Sequence, residues 1–390
     1  MRYNEKTAIQ IVSTQKSFLI VFLFLIFFSC QTDQNNQQGS EETKDNTPVE
    51  WVSYEGKKEI KKNKKIVFVS GDEEYRSEEA LPQLAKILSA YHGFDCTVLF
   101  AQDPEHPGVI DPNYTINIPG LAALEDADLL FLFTRFRALP DEQMQYFKDY
   151  LLKGKPIIGI RTSTHAFNFK DSTNLWNHWG NYFNKEGSNW AGGFGRNILG
   201  ANWHTHHGHH KHQSTRGIIA SGAESNPIIK GIDDGAIWGS TDVYGVPLPL
   251  SEDIQPIIMG QVINRAGEFD ENDLFFGMKP SDMEVANDNP ASKNKYNPND
   301  PMMPIVWSKP YQLINGKEGM AITSTTGSST DLLNEELRRL FINSAYLLLE
   351  LPVPEKARVD LVGTYSPTQY SFHDDEYWDK KNLQVKDYIE

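Results

Sequence analysis

The chain has 390 residues and a formal net charge of −15, with 52 acidic residues against 37 basic ones. This acidic balance argues against nucleic acid as a partner, because a nucleic-acid-binding surface needs clustered Lys and Arg side chains to neutralise phosphates. The length suits one large domain or two small ones.

The first 30 residues have the composition of a secretory signal. Basic residues precede an apolar run at 18–28, which is too short to span a bilayer and suits the core of a signal peptide. The run ends at Ser29-Cys30, and a small residue directly before a Cys resembles the lipobox of bacterial lipoproteins, whose Cys is acylated and becomes the mature N-terminus. We therefore expect a lipid anchor at Cys30 and a location in the bacterial cell envelope, facing the periplasm or the surface. The alternative is an uncleaved membrane anchor.

A polar tether separates this signal from the folded part of the chain. Residues 31–48 are rich in Gln, Asn, Asp, Glu, Ser and Thr and have no apolar periodicity, so they cannot bury enough surface to fold. If Cys30 carries the lipid, Cys96 has no partner for an intrachain disulfide in the mature chain. The predicted organisation is a signal peptide at 1–30, a disordered tether at 31–60, one domain at 61–355 with a surface insertion at 270–301, and a C-terminal tail at 356–390.

Apolar, β-branched runs predict the strands of a central sheet, and helices are predicted between them. The predicted strands are 64–70, 97–101, 127–134, 156–160, 304–307 and 319–324. Leu81, Leu84, Ala85 and Leu88 recur at helical spacing and predict a helix that ends at His92-Gly93. Two more helices are predicted, one from Pro140 to Gly154 and one along the face of Leu337, Leu340 and Leu348. Alternating strands and helices imply right-handed crossovers and a parallel sheet covered on both faces.

Polar residues follow three of these strands, and ligands of open α/β sheets bind at the carboxyl ends of strands. The candidate binding residues after the first and third strands are Asp72, Glu73, Arg76, Arg135 and Arg137. They either orient anionic or polyhydroxyl groups of a ligand, or form a solvated charge cluster in which the arginines pair with the carboxylates. After the central strand come Arg161 and His165 as candidate catalytic residues, with Thr162 and Ser163 as candidate binding residues.

The chain resembles the ThuA-like (trehalose-utilisation) family over about Lys64 to Leu351. The resemblance is carried by the segments IVFVSGDEEYRSEEALPQLAKIL, LLFLFTRFRALPDEQMQYFKDYLLKGKPIIGIRTSTHAF and NPIIKGI. It implies a flavodoxin-like, class I glutamine amidotransferase-like three-layer sandwich with a mostly parallel sheet. It also implies a role in carbohydrate metabolism, on a sugar or an oxidised sugar derivative.

The chain departs from the amidotransferases at the turn after the central strand, residues 159–163, which we call the elbow. Amidotransferases carry Gly-x-Cys-x-Gly there and a His-x-Glu pair late in the chain, whereas this chain has Arg161 in the nucleophile position and Thr325-Thr326-Gly327 in the late segment. A guanidinium that stays protonated cannot attack a carbonyl. We therefore expect no glutaminase activity.

Six of the eleven histidines fall within residues 203–216, which we call the histidine segment. Imidazoles at this spacing can bind zinc or another divalent transition metal, with a carboxylate and water completing the site. The first choices for ligands are His206, His207 and His209. The alternative is a polar loop whose histidines bond to backbone and water. We expect the histidine segment and the elbow to form one site.

Aromatic and acidic residues around this segment complete the candidate site. The aromatic residues before it either stack on a sugar ring or fill the core: Trp176, Trp179, Tyr182 and Trp190. Trp203 and Tyr244 are further candidate binding residues for the substrate. Asp242 is either a general base or a metal ligand, or it caps its own turn.

Two functions compete. The first is a membrane-tethered, metal-assisted enzyme that hydrolyses or isomerises a sugar-type small molecule: His165 and a loop histidine exchange protons with it, while Arg161 stabilises negative charge. The second is a non-catalytic carbohydrate-binding lipoprotein.

Overall fold

The computed structural model describes residues 48–389. Its strands are β1 (Trp51–Tyr54), β2 (Lys65–Gly71), β3 (Asp95–Phe100), β4 (Leu129–Thr134), β5 (Ile157–Ile160), β6 (Thr205–His206), β7 (Gln213–Ile219), β8 (Ile237–Gly239), β9 (Tyr244–Gly245), β10 (Gln255–Asn264), β11 (Met303–Gln312) and β12 (Glu318–Ser324). Its α-helices are α1 (Ser77–His92), α2 (Asp141–Leu152), α3 (Glu335–Leu348) and α4 (Asp375–Lys381).

One mixed sheet of ten strands runs through the described chain in the order β1-β3-β2-β4-β5-β12-β11-β10-β7-β8. The five strands from β3 to β12 in this order are parallel to one another. The strands β11, β10, β7 and β8 continue the sheet with antiparallel pairing, and β1 is an antiparallel edge strand. The fold is therefore α/β with a large sheet, but the expectation of a mostly parallel sheet holds for only half of it.

Strand β2 shows why the parallel half is buried on both faces. Ile66 and Phe68 pack in one apolar cluster with α1 and α3, whereas Val67 and Val69 pack in a second cluster with α2. Alternate residues of a strand point to opposite faces, so an uninterrupted apolar run is what such a strand requires.

The predicted helices are present, and glycines set the ends of α1 and α2. Gly93 follows α1 with φ 73°, and its N–H caps the last turn, whereas Gly154 ends the turn after α2 with φ 69°. Both conformations are left-handed, which glycine adopts without steric cost.

Two long segments without regular strands surround this framework. The predicted insertion falls between β10 and β11 and is held to the sheet through a bridge between Ile263 and Val285. The C-terminal tail crosses the carboxyl ends of the parallel strands, contains α4, and buries Tyr370, Trp378 and Val385.

No helix within the described part of the chain is long and apolar enough to cross a membrane. The predicted signal peptide, Cys30 and most of the tether lie outside the described residues.

Candidate functional site

A cavity of about 100 Å³ lies at the carboxyl ends of the parallel strands. The elbow forms part of it, because β2, β4, β5 and β12 run in the same direction and their ends meet at one edge. The C-terminal tail contributes Phe372 to the cavity wall, and the histidine segment contributes Trp203 and His206. The lining residues of the cavity are Glu74, Tyr75, Arg135, Arg161, Thr162, His165, Trp203, His206, Tyr244 and Phe372.

Arg161 is a buried hub of hydrogen bonds rather than an exposed cation. Its Nη1 donates to the carbonyl oxygens of Asp242 at 2.8 Å and Thr325 at 2.6 Å, and its Nη2 donates to Tyr75 Oη and Asp242 Oδ1, both at 3.0 Å. Burial by itself lowers the pKa of Arg161, but Tyr75 and Asp242 raise it by more, so the guanidinium stays charged. Its backbone has φ 45°, a strained conformation for a residue with a side chain.

Asp242 accepts hydrogen bonds from two histidines as well as from Arg161. His206 Nδ1 donates to Oδ2 at 2.9 Å, and His210 Nδ1 donates to Oδ1 at 3.0 Å. Burial by itself raises the pKa of Asp242, but these two bonds and the charge of Arg161 hold it well below its usual range. An ionised carboxylate only accepts, so each of these imidazoles carries its proton on Nδ1. The bond to Asp242 also raises the pKa of His206.

The other histidines that the sequence indicated lie apart from this group. His207 is buried, and its Nε2 bonds to the carbonyl oxygen of Pro298 at 2.8 Å, so it holds the predicted insertion against the histidine segment. His209 stacks on His212 with ring centroids 4.1 Å apart. Among the three first choices for metal ligands, only His206 lies beside Asp242, and His210 is the second histidine there. Loop backbone conformation decides this selection, and it has no signature in the sequence.

His165 is a buried, neutral imidazole in the cavity wall. Burial lowers its pKa well below the ordinary value, and the positive charges of Arg135 and Arg161 lower it further. Its ring lies between Phe136, at a centroid distance of 5.0 Å, and Trp203, at 5.5 Å. Nδ1 lies 3.3 Å from Thr164 Oγ1, and Nε2 makes no hydrogen bond to any described residue. His165 is therefore available to accept a proton.

The charged residues after β2 and β4 divide between structure and site. Arg137 is buried, donates to the carbonyl oxygens of Pro112 and Tyr114, and pairs with Glu73 at 2.6 Å. Arg135 also pairs with Glu73 but retains 21% of its side-chain exposure and lines the cavity. Burial raises the pKa of Glu73 despite both arginines. Of the two arginines, Arg135 is the one that a ligand can reach.

Arg76 and Asp72 are structural in this arrangement. Arg76 is fully buried, donates to the carbonyl oxygen of Ser371, and lies 4.8 Å from the ring centroid of Trp378, so it fastens the tail to the framework. Asp72 Oδ1 accepts the backbone N–H groups of Glu74 and Tyr75, and its Oδ2 accepts Thr162 Oγ1 at 2.5 Å. Asp72 thus ties the turn after β2 to the elbow.

Ser163 of the elbow, and Tyr244 beside it, make similar supporting contacts. Ser163 Oγ donates to the carbonyl oxygen of Leu132 at 2.6 Å, and so joins the elbow to β4. Tyr244 Oη donates to the carbonyl oxygen of Arg161 at 2.8 Å and lies 2.8 Å from Thr164 Oγ1. Burial raises the pKa of Tyr244, which keeps its hydroxyl protonated. Thr162 and Tyr244 reach the cavity wall, whereas Ser163 does not line it.

The aromatic stretch before the histidine segment is mostly core. Trp176 and Trp179 are 2% exposed and pack with Phe167 and Phe194. Tyr182 is 61% exposed and stacks on Phe136, which in turn contacts His165. Among the side chains just described, Tyr182 is exposed enough to contact a ligand.

The site includes residues that the sequence did not single out. Tyr75 adjoins the predicted charged residues, and its position in the turn after β2 is the signal that indicates it. Phe372 comes from the tail, more than one hundred residues along the chain from the histidine segment, and no motif marks it. Only the path of the tail across the sheet brings it to the cavity.

No family model matches the chain, and no curated protein matches it in sequence. Among solved structures, a protein from Bacteroides uniformis ATCC 8492 that is described as ThuA-like is 12% identical with a TM-score of 0.39, over 73% of this chain and 91% of that one. A protein from Parabacteroides merdae ATCC 43184 with the same description is 11% identical with a TM-score of 0.39, over 79% of this chain and 97% of that one. ThuA-like proteins are thus among the structural neighbours of this chain.

Proposed function

We propose that the protein is an enzyme that isomerises or hydrolyses a sugar or an oxidised sugar derivative by proton transfer at His165. The observation that carries the proposal is the neutral, buried His165 in a cavity that it shares with a reachable guanidinium, Arg135. A neutral imidazole accepts a proton, and an adjacent cation stabilises the oxygen that becomes negative when the proton leaves.

The walls of the cavity suit a polyhydroxylated ring. Trp203 and Phe372 present apolar faces to the C–H face of a sugar, and Thr162, Tyr244 and Glu74 supply polar groups for its hydroxyls. The cavity volume of about 100 Å³ is well below the ~300–1,000 Å³ of typical ligand pockets, so we expect the reacting end of one sugar unit to enter it.

The sequence pattern assigned charge stabilisation to Arg161, and the contacts favour Arg135 for that role. All four Nη bonds of Arg161 go to protein acceptors. Arg135 Nη2 makes no hydrogen bond to any described residue, so it has a free donor for a substrate oxygen. Arg161 acts instead as a positioning residue that holds Asp242 and Tyr75.

The His206–Asp242 pair supplies a second polar group in the same cavity, and the rings of His206 and His165 both contact Trp203. Either the Nε2–H of a protonated His206, a form that the raised pKa of His206 favours, or a cation held beside it would polarise the substrate oxygen while His165 moves the proton. Both versions use Asp242 as the fixed negative charge that orients His206.

Several expectations from the sequence remain part of the proposal. The protein is anchored to the cell envelope through a lipid on Cys30, and it has no glutaminase activity because Arg161 replaces the nucleophile. The proposal also includes the flavodoxin-like, amidotransferase-like sandwich that the sequence resemblance implies, and the parallel pairing of β3, β2, β4, β5 and β12 supports it.

The proposal is tested by incubating the protein with trehalose, glucose and fructose in deuterated water. Isomerisation is expected to introduce deuterium at the carbon next to the carbonyl, detected by NMR, and hydrolysis to release new reducing ends. His165→Asn should abolish the reaction, whereas His178→Asn, a histidine outside the cavity, should leave it unchanged. Equal turnover by the His165→Asn protein would refute the role of His165.

The alternative is a carbohydrate-binding lipoprotein without catalysis, which is favoured by the absence of the usual amidotransferase Cys at the elbow. In that case His165→Asn and the unchanged chain should bind the same sugar in calorimetry, and neither should transform it.

A further inference from the structure

We propose that His206, His210 and Asp242 form a binding site for a divalent transition-metal ion, with zinc as the ion that suits it best. One ligand atom from each residue lies within 4.8 Å of the other two. The two imidazole rings have centroids 4.9 Å apart and flank the same carboxylate. The role of the ion in catalysis rests on the proposed function, whereas its binding does not.

The spacing of these atoms is close to that of a coordination sphere. The distance is 2.9 Å from His206 Nδ1 to Asp242 Oδ2 and 3.0 Å from His210 Nδ1 to Asp242 Oδ1. Zinc bonds of ~2.0–2.1 Å in a tetrahedral arrangement place neighbouring ligand atoms roughly 3.3 Å apart. A small outward movement of both imidazoles therefore makes room for the ion.

The donor set selects the class of ion. Two imidazole nitrogens and one carboxylate oxygen suit zinc and its neighbours in the first transition row, whereas magnesium and calcium prefer oxygen ligands alone. Three protein ligands also leave at least one position open, as in catalytic zinc sites. His206 lines the cavity, so the open position is accessible to water or to a substrate oxygen.

Glu74 and Arg161 complete the surroundings of this site. Metal binding through Nδ1 moves the remaining imidazole proton of His210 to Nε2, which lies 3.5 Å from Glu74 Oε1. A carboxylate that accepts this proton is the usual outer partner of a metal-bound histidine. Arg161 already occupies Asp242 Oδ1, so the ion binds mainly through Oδ2, the oxygen that faces His206.

The experiment measures zinc binding to the untagged chain by isothermal titration calorimetry after the protein has been stripped with a chelator. We expect one zinc ion per chain and no binding of magnesium. His206→Ala and His210→Ala should weaken zinc binding by more than ~100-fold, and Glu74→Gln by about tenfold, because loss of an outer partner alone costs ~10–100-fold.

His212→Ala is the matched control, since it removes one imidazole from the same segment but not from this group. It should bind zinc as the unchanged chain does. His206 is 45% exposed, so its replacement by alanine is not expected to unfold the protein, and thermal melts verify this. Cobalt substitution provides a second readout, because the visible absorption of cobalt should change in His206→Ala and not in His212→Ala.

The site is refuted if the stripped chain binds less than one zinc ion, or if His212→Ala weakens binding as much as His206→Ala does. Full sugar turnover by zinc-free protein would also remove the catalytic role of the ion and leave proton transfer by His206 in place. Zinc binding with the expected order of variants, but without turnover of any sugar, would uphold the metal site and refute the proposed function.

Discussion

At the carboxyl edge of the sheet, a single buried carboxylate organises the side chains on which the candidate chemistry depends. Asp242 accepts bonds from Arg161, His206 and His210, and these three residues come from two separate segments of the chain. In the absence of a metal, the carboxylate balances a guanidinium that has no access to solvent. The stability of the site and its geometry therefore depend on the same residue.

Asp242→Asn should destabilise the protein strongly. The change leaves Arg161 as an uncompensated buried charge, and breaking such a pair typically costs about 3–5 kcal/mol. The free energy of unfolding is measured by urea denaturation in the presence of a chelator, so that metal binding does not contribute. Asp379→Asn, at an exposed position, serves as the control. An Asp242→Asn protein as stable as the control would show that the pair contributes nothing.

A second residue-scale prediction concerns Glu78 in the first turn of α1. Its carboxyl group is 1% exposed, and burial raises its pKa from 4.5 to about 7, against the opposing charge of Arg76. The folded chain therefore binds this proton more tightly than the unfolded chain. The resulting stabilisation is complete below pH 4.5 and is lost as the pH rises through about 7.

Glu78→Gln removes this ionisation while retaining the shape of the side chain. Between pH 4.5 and pH 8 the stability of the variant relative to the unchanged chain should rise by up to about 3 kcal/mol, whatever constant difference the loss of the pair with Arg76 adds. Urea denaturation across this pH range measures it. A stability difference that does not vary with pH would contradict the raised pKa.

The sequence predicted the site at the level of segments better than at the level of individual residues. The position of Arg161 and His165 after a buried strand was sufficient to place them in the cavity, because strand ends in a parallel sheet meet at one edge. The choice among the histidines was not possible, since neighbours in an irregular loop face different partners. His207 bonds to Pro298, for example, whereas His206 bonds to Asp242.

At the scale of elements, the backbone directly after the elbow makes a close contact with the turn at Gly195–Leu199. A Cβ atom added at Gly195 would lie 1.8 Å from the carbonyl oxygen of Thr164 and 2.7 Å from that of Ala201. These are backbone atoms on both sides, so neither can move without displacing its own segment. Thr164 directly precedes His165, and the contact therefore sets the position of the proposed base.

Gly195→Ala should consequently destabilise the fold and reduce activity. Overpacking costs typically ~1–3 kcal/mol, and contact with rigid backbone places this variant at the upper end of that range. Gly267→Ala is the matched control, because the nearest atom to its added Cβ is 3.9 Å away. Thermal melts of both variants provide the measurement. Identical melting temperatures would mean that the segments around Thr164 and Gly195 can move apart with little loss of folding free energy.

Elements in the parallel half of the sheet were predictable, and those in the antiparallel half largely were not. Strand β2 is an unbroken apolar run because it is covered on both faces, whereas β7 contains Gln213, Ser214, Thr215 and Arg216. Several of these polar side chains are buried and make hydrogen bonds inside the protein. Thr215 Oγ1, for example, donates to the carbonyl oxygen of Thr241. Hydrophobic periodicity does not detect a strand whose buried positions are polar.

At the scale of the whole molecule, the tail is an integral part of the folded unit. Tyr370 is fully buried, stacks on Tyr75 at 5.3 Å and contacts His210 at 5.6 Å, so it supports both sides of the cavity. Farther along, the backbone N–H of Val385 bonds to the carbonyl oxygen of Gly108. The sequence indicated only a surface-wrapping segment, because the buried residues of the tail are too unevenly spaced to produce a periodicity.

Deletion of residues 364–390 should therefore prevent cooperative folding. The deletion removes Tyr370, Trp378 and Val385 from the core, and each such side chain contributes ~1.5–3 kcal/mol when buried. Their sum is comparable to the ~5–15 kcal/mol by which domains are stable. Circular dichroism melts should show no sharp transition, whereas Phe372→Ala, at a position 52% exposed, should melt like the unchanged chain and alter only ligand binding. A truncated protein with an unchanged, cooperative melt would show that the domain ends before the tail, as the boundary at residue 355 implied.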